Sequence, residues 1–282
     1  MSAIAGCSPA AAGLIETNMG VSNDLQVLLP SAKYQLLYGR PADHTAEYAT
    51  LELAAFCARG SGAFIDVGAN EGMFVFYVAN ALERKRDADI HFFEPDPVLY
   101  ERLVANLARN RIAAHGTMAA VGGSVGRAMF HRNLGDDLSG SLTTAFTHTH
   151  ATVAVETDVT TLAQHMTAHA VRRACVKVDV EGAAISVWEG ARGALDRIDW
   201  LICEILGDEL KGQLPRRIIA ESGWYGYYVR DFELVRSIDG EFEYRAPFYN
   251  WLFCPAGPVD LAGLLKGTRF RVLDPSNTVV GG

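Results

Sequence analysis

An acid and two glycines, spaced as Asp66-x-Gly68-x-x-x-Gly72, are the first residues whose arrangement suggests chemistry. An apolar run before the first glycine predicts a strand, and a helical pattern after the second predicts a helix. The glycines therefore form a turn at the end of a strand. Backbone approach at Gly68 suits a ligand carboxylate, the acid suits an ammonium group, and Gly72 lets the helix pack close to the strand.

A second acid, Glu94, follows the next apolar strand at residues 90–93. An acid there accepts hydrogen bonds from ribose hydroxyls in both nicotinamide and S-adenosylmethionine folds. The glycine spacing does not match the G-x-G-x-x-G of dinucleotide sites, whereas the methionine end of S-adenosylmethionine carries both an ammonium and a carboxylate. We expect S-adenosylmethionine as the cofactor. The positions expected around it are Asp66, Gly68, Ala69, Asn70, Gly72, Glu94, Pro95, Ala120, Val121 and Asp179.

The catalytic candidates lie in residues 174–182, an apolar strand that ends in two acids and a glycine. Lys177, Asp179 and Glu181 alternate and therefore share one face, and Glu204 lies near the end of the next apolar strand. Open α/β sheets bind ligands at the carboxyl ends of their strands. Two interpretations stay open. The group is either a structural ion-pair network or a site where one acid is the general base, or where Asp179 and Glu181 bind Mg²⁺.

A polar loop within residues 124–160 holds two more candidates. Ser141 belongs to a small Ser-Gly-Ser turn, and His148 is the first histidine of a His-Thr-His sequence. Both are expected to contact the substrate if the loop folds over the site. The two histidines could also bind a metal or supply a base in that position, although loop histidines without a third ligand in the sequence are usually solvated.

Strands and helices alternate around these residues, which predicts a parallel sheet with right-handed crossovers. The alternation breaks at about 124–160, where two strands around the polar loop predict a β-rich insertion. The strands expected in the main sheet are 64–67, 90–93, 115–121, 174–178 and 200–205, followed by an antiparallel pair at 225–229 and 250–254. The expected divisions are a loosely ordered leader at 1–24, a cap of short strands and a helix at 25–60, a core at 61–256 and a tail at 257–282.

Charge and composition limit the partners. A net charge of −8 argues against nucleic acid, which requires a basic face. No apolar run reaches the length of a membrane span, and residues 1–24 lack the basic start of a secretory signal. Five cysteines without a C-x-x-C pair favour a reducing compartment, so we expect a cytoplasmic protein. The oligomeric state stays open.

Taken in order, the motifs resemble those of the FkbM family of S-adenosylmethionine-dependent methyltransferases. The resemblance covers roughly residues 25–255 and includes Ile65–Gly72, Phe93–Pro95, Val176–Gly182 and Trp188–Ala191, with Glu204 in a late apolar strand. It implies a Rossmann-like class I methyltransferase fold, in which helices cover both faces of a seven-stranded, mostly parallel sheet with one antiparallel strand. It also implies methyl transfer to oxygen, often on a sugar hydroxyl or a natural product.

Two positions depart from the family pattern. The family commonly has an acid where this chain has Ala184, and a leucine-aspartate pair where it has Thr161-Leu162-Ala163-Gln164. An O-methyltransferase acting on a small-molecule or glycan acceptor is the leading hypothesis. The missing acids keep open a nucleoside-cofactor binding protein without turnover, and an NAD-dependent oxidoreductase is the less favoured third alternative.

Overall fold

The computed structural model describes residues 14–17, 25–30, 45–83, 89–133, 142, 152–207, 213–241 and 249–281. The candidate substrate contacts Ser141 and His148 lie outside these residues. Within them, no helix has the length and apolar character needed to cross a bilayer.

The described strands, numbered in chain order, are β1 Leu14–Thr17, β2 Val27–Pro30, β3 Ala63–Val67, β4 Asp89–Phe93, β5 His115–Thr117, β6 Ala120–Val121, β7 Gly126–Asn133, β8 Thr152–Thr160, β9 Ala174–Val178, β10 Ile198–Glu204, β11 Tyr225–Arg230, β12 Glu233–Ser237, β13 Asn250–Cys254 and β14 Arg271–Leu273. The α-helices are α1 Thr45–Gly60, α2 Met73–Ala81, α3 Pro97–Arg109, α4 Leu162–Ala168, α5 Ala184–Ala191, α6 Leu214–Ser222 and α7 Pro258–Leu264, and a 3₁₀ helix spans Arg192–Arg197.

The main sheet has the strand order β14-β12-β11-β13-β10-β9-β3-β4-β5. The seven strands from β11 to β5 form the expected mostly parallel sheet, in which β13 is antiparallel to both of its neighbours. The predicted fold class is therefore confirmed. The strand count needs a correction, because β12 pairs with β11 and β14 pairs with β12, which gives nine strands.

Helices cover both faces of this sheet, as expected. One apolar cluster joins the sheet to α1, α2, α3 and α7 through residues such as Leu53, Val75 and Leu103. The other joins it to α4, α5 and α6 through residues such as Leu162 and Val187. The central strand β9 is buried at all five positions, which suits a parallel strand covered on both sides.

The β-rich insertion forms a separate three-stranded sheet in the order β6-β8-β7. β7 and β8 pair antiparallel over eight positions, and β6 pairs parallel to β8. The strand expected at 115–121 is therefore two strands. β5 belongs to the main sheet and β6 to the small one, because the chain leaves the main sheet after Thr117.

Candidate active site

The turn that follows β3, residues 68–72, brings the carboxyl ends of β3 and β9 together. Gly68 has φ +84°, and a Cβ at this position would lie 1.9 Å from the carbonyl oxygen of Asp179. The amides of Gly68 and Ala69 both donate to the carbonyl of Phe93, at 3.0 and 2.9 Å. The amide of Asp179 donates to the carbonyl of Val67 at 2.9 Å. The close approach at Gly68 is thus to the protein's own backbone.

Gly72, with φ +84°, has a different neighbour. A Cβ on this residue would lie 2.2 Å from Cδ1 of Leu103, so the glycine allows α3 to pack against the turn. The sequence motif predicted close helix packing at this position, and the contacting helix is α3.

Glu94 holds the turn against the start of α3. One carboxylate oxygen accepts the amide of Asn70 at 2.7 Å, and the other accepts the amide of Asp96 at 2.8 Å. Asp96 is the cap of α3, since its side chain accepts the amides of Val98 and Leu99. Pro95 between them is half-buried. The expected contact between Glu94 and a ribose stays a prediction.

Asp66 is a buried carboxylate to which no described residue donates a hydrogen bond. Its side chain is 1% exposed, and neither oxygen has a partner. Burial raises the pKa of Asp66 to about 7; Lys177 opposes this shift, while Asp179 and Glu47 add to it. A buried charge without a partner is unfavourable and calls for a physical explanation, such as a ligand that binds there.

Lys177, also 1% exposed, is the cation nearest to these acids. Its ammonium donates to Oδ2 of Asp179 at 2.9 Å and lies 4.4 Å from the centre of the Phe74 ring. Burial alone would lower the pKa of Lys177, but the nearby carboxylates, led by Asp179 and Asp66, raise it above its ordinary value. The lysine is therefore charged, and it fixes the position of Asp179.

Asp179, Glu181 and Glu204 form an acid cluster at the carboxyl ends of β9 and β10. One oxygen from each carboxylate lies within 4.8 Å of the others. Burial would raise the pKa of Asp179, but Lys177 and a hydrogen bond from Glu204 lower it below its usual range. Burial and the charge of Asp179 raise the pKa of Glu204 well above its usual range. The raised pKa of Glu204 favours its protonated form, and the lowered pKa of Asp179 favours its ionised form.

Glu47, in the first turn of α1, approaches the same group and was not among the candidates from the sequence. Burial raises its pKa, Lys177 lowers it, and Asp179 raises it. No local motif marks Glu47, because its place depends on how α1 packs against the sheet.

Ala120 and Val121, the remaining expected cofactor positions, form β6 and are buried just beyond the carboxyl end of β5. The fold thus places the described candidates at the carboxyl edge of the main sheet. This arrangement contains a buried acid, Asp66, to which no described residue donates a hydrogen bond, and a carboxylate, Asp179, held by a lysine.

Comparison with known proteins shows the family to which this chain belongs. A family model described as a methyltransferase FkbM domain matches residues 66–245, which include Asp66, Glu94 and the acid cluster. A search among curated proteins found no match.

The fold is also similar to solved methyltransferase structures. A methyltransferase FkbM from Methylobacillus flagellatus KT is 15% identical, with a TM-score of 0.45 over 68% of this chain and 43% of that one. The METTL16 methyltransferase domain is 9% identical, with a TM-score of 0.45 over 75% of this chain and 68% of that one. P. horikoshii TYW2 in complex with MeSAdo is 13% identical, with a TM-score of 0.38 over 86% of this chain and 70% of that one. The chain thus spans less than half the length of the Methylobacillus protein.

Proposed function

The chain belongs to the FkbM family of methyltransferases, and we propose that it transfers a methyl group from S-adenosylmethionine to a hydroxyl oxygen. The proposed acceptor is a sugar, a glycan or a secondary metabolite. The observation that carries the proposal is the position of Asp179, which accepts a hydrogen bond from the Lys177 ammonium at 2.9 Å and lies against the turn at Gly68.

The residues around the turn fit the cofactor. Asp66 is a buried carboxylate to which no described residue donates a hydrogen bond, so an ammonium group would satisfy it. Glu94 lies at the end of the adjacent strand, where an acid suits ribose hydroxyls. The cofactor supplies a methyl group on a positively charged sulfur. The role of these residues is to bind it and exclude water.

On the acceptor side, Asp179 orients the hydroxyl. Its side chain is 32% exposed, so it can accept a hydrogen bond from a bound alcohol while Lys177 holds its other side. An alcohol oxygen becomes strongly acidic as its bond to carbon forms. A carboxylate with a lowered pKa is therefore basic enough to take the proton. Glu204, which is neutral, adds no repulsion.

Mg²⁺ is the alternative within this proposal. Three carboxylate oxygens within 4.8 Å are a donor set that hard cations prefer. However, the ammonium of Lys177, which donates to Asp179 at 2.9 Å, already balances part of the negative charge. Chelation separates the two cases, because a metal-free reaction continues in a chelator and a Mg²⁺-dependent reaction stops until Mg²⁺ is returned.

Calorimetry with S-adenosylmethionine and NAD tests the cofactor, and S-adenosylhomocysteine release over a panel of hydroxylated acceptors tests turnover. We expect binding of S-adenosylmethionine and product with at least one acceptor. NAD binding without S-adenosylmethionine binding would overturn the proposal. Cofactor binding without product from any acceptor would favour a binding protein.

Asp179→Asn tests the catalytic assignment. Turnover should fall by about 10²–10⁴-fold, the usual contribution of a general base, with a much smaller change in cofactor affinity. Asp158→Asn, an exposed position on β8, is the matched control and should leave both values unchanged. Unchanged turnover in Asp179→Asn would remove this residue from the mechanism.

A further inference from the structure

Four of the eight histidines in the sequence gather on the face of the sheet covered by α4. His91 lies on β4 and pairs in register with His115 on β5. His165 lies on α4 and His169 is the cap at its end. These four residues, the histidine cluster, are separate from the acid cluster, which follows the carboxyl ends of β9 and β10.

Nitrogen atoms converge within this cluster. Nε2 of His165 lies 3.0 Å from Nδ1 of His91, and one nitrogen from each of His91, His165 and His169 lies within 4.8 Å of the others. The ring centres of His165 and His169 lie 4.3 Å apart, as expected for two residues separated by one helical turn. His91 and His165 are buried, whereas His169 is exposed, so the cluster opens to solvent on one side.

Asp89 determines which nitrogen of His91 is available. Its carboxylate lies 2.8 Å from Nε2 of His91 and can only accept, so Nε2 carries the hydrogen. The lone pair of Nδ1 then points at His165. Histidines that bind metals commonly donate their second ring N–H to a carboxylate in this way, which fixes the ring and makes it a stronger ligand.

The spacing suits a tetrahedral ion. Zinc–nitrogen bonds of about 2.0–2.1 Å at tetrahedral angles separate two ligand nitrogens by about 3.3 Å. The 3.0 Å between His91 and His165 is close to that value. Two histidines at i and i+4 on a helix are a recurrent zinc-binding pair. Neutral imidazole is the commonest metal ligand in proteins.

We propose that His91, His165 and His169 form a binding site for a divalent transition metal ion, with zinc as the expected occupant. Asp89 is the positioning residue for His91, and water or His115 completes the coordination. The ion would join α4 to β4 across the face of the main sheet. The proposal does not depend on the methyl acceptor or on the role of Asp179.

Calorimetric titration with ZnCl₂ tests the site in tag-free protein that has been treated with a chelator and dialysed. We expect one equivalent of zinc with micromolar or tighter affinity, and a Co²⁺ form with visible absorption typical of tetrahedral coordination. Zinc should also raise the Tm, because it binds the folded state. Absence of stoichiometric zinc binding by the wild-type protein would overturn the proposal.

His169→Ala removes one ligand at an exposed position, so the fold should be kept. Zinc affinity should fall at least tenfold, and the rise in Tm with zinc should disappear. Asp89→Asn should lower the zinc affinity by about 10–100-fold, as loss of a carboxylate that holds a ligand histidine commonly does. His131→Ala, a half-buried histidine on β7, is the matched control and should bind zinc as wild type does.

Glu181→Gln tests whether zinc binds at the acid cluster instead. This variant should still bind one equivalent of zinc. If His169→Ala and His131→Ala bind zinc equally, or if Glu181→Gln alone abolishes binding, the histidine cluster is not the site.

Discussion

At the scale of single residues, Asp66 is a buried carboxylate to which no described residue donates a hydrogen bond. Its pKa of about 7 in the folded protein lies above the ordinary value of 3.8. The folded state therefore favours protonated Asp66. The contribution of Asp66 to the stability of the folded protein is fully present below about pH 4, and it is lost as the pH rises through 7. Such a cost makes sense if the carboxylate has a cationic ligand to bind.

Asp66→Asn should therefore stabilise the ligand-free protein at pH 8 and weaken the binding of the cofactor. We expect a higher Tm, by roughly 2–4 °C for each kcal/mol gained, and at least tenfold weaker S-adenosylmethionine binding. In the wild type, affinity should fall as the pH drops below 7, because the ammonium needs an ionised partner. This dependence should be absent in the variant. Thermal unfolding and calorimetry at several pH values measure these effects.

The opposite result would be equally informative. A lower Tm at pH 8 together with unchanged cofactor affinity would mean that Asp66 supports the fold and does not bind the ligand.

At the scale of elements, local motifs predicted contacts between neighbours in sequence but not contacts between distant elements. The ion pair of Lys177 and Asp179 follows from their alternation along one strand. The histidine cluster could not be predicted, because α4 was not expected from the sequence. This helix has only seven residues, too few to show a clear period, although Thr161 caps it by accepting the amide of Gln164 at 3.2 Å.

The attachment of β2 shows the same limit. The side chain of Asn106 on α3 accepts the amide of Leu28 and donates to its carbonyl, at 2.9 and 3.1 Å. Asn110, one turn later, does the same for Gln26, with both distances 2.8 Å. Two asparagine amides thus bind the backbone at residues 26 and 28, in addition to the pairing of β2 with β1. The period of the apolar residues in α3 predicts the helix but gives no sign of this contact.

The turn after β3 allows an element-scale test of why a glycine is required. Gly68→Ala places a methyl group 1.9 Å from the carbonyl oxygen of Asp179, so β3 and β9 must separate at the site. Gly223→Ala is the matched control, since Gly223 also has positive φ, +72°, but has nothing within 4 Å. The control should lose about 1–2 kcal/mol, the cost of the left-handed conformation alone.

Gly68→Ala should lose clearly more stability than this and should also lose turnover by at least a factor of about 10², since a displacement of 1 Å can have that effect. Denaturant unfolding and turnover assays compare the two variants. Equal stability losses would show that the turn tolerates the displaced backbone.

At the scale of the whole molecule, the sequence predicted the mostly parallel sheet with helices on both faces. It did not predict the sheet's far edge. β14 has three residues and β12 five, so neither shows enough alternation to stand out from a loop. Leu261 on α7 and Leu265 just after it belong to the same apolar cluster as Val272 on β14.

Residues 257–282 were expected to be a tail, and we propose instead that they belong to the folded core. Val272 on β14 is 1% exposed and Val259 on α7 is 71% exposed, so the same substitution at each tests this proposal. Val272→Asp buries a carboxylate without a partner, which costs several kcal/mol, and should lower the Tm strongly or leave the protein insoluble. Val259→Asp places an acid in the first turn of a helix, where it is neutral or slightly stabilising. Soluble yield and thermal unfolding distinguish them, and equal Tm values would mean that the core ends before α7.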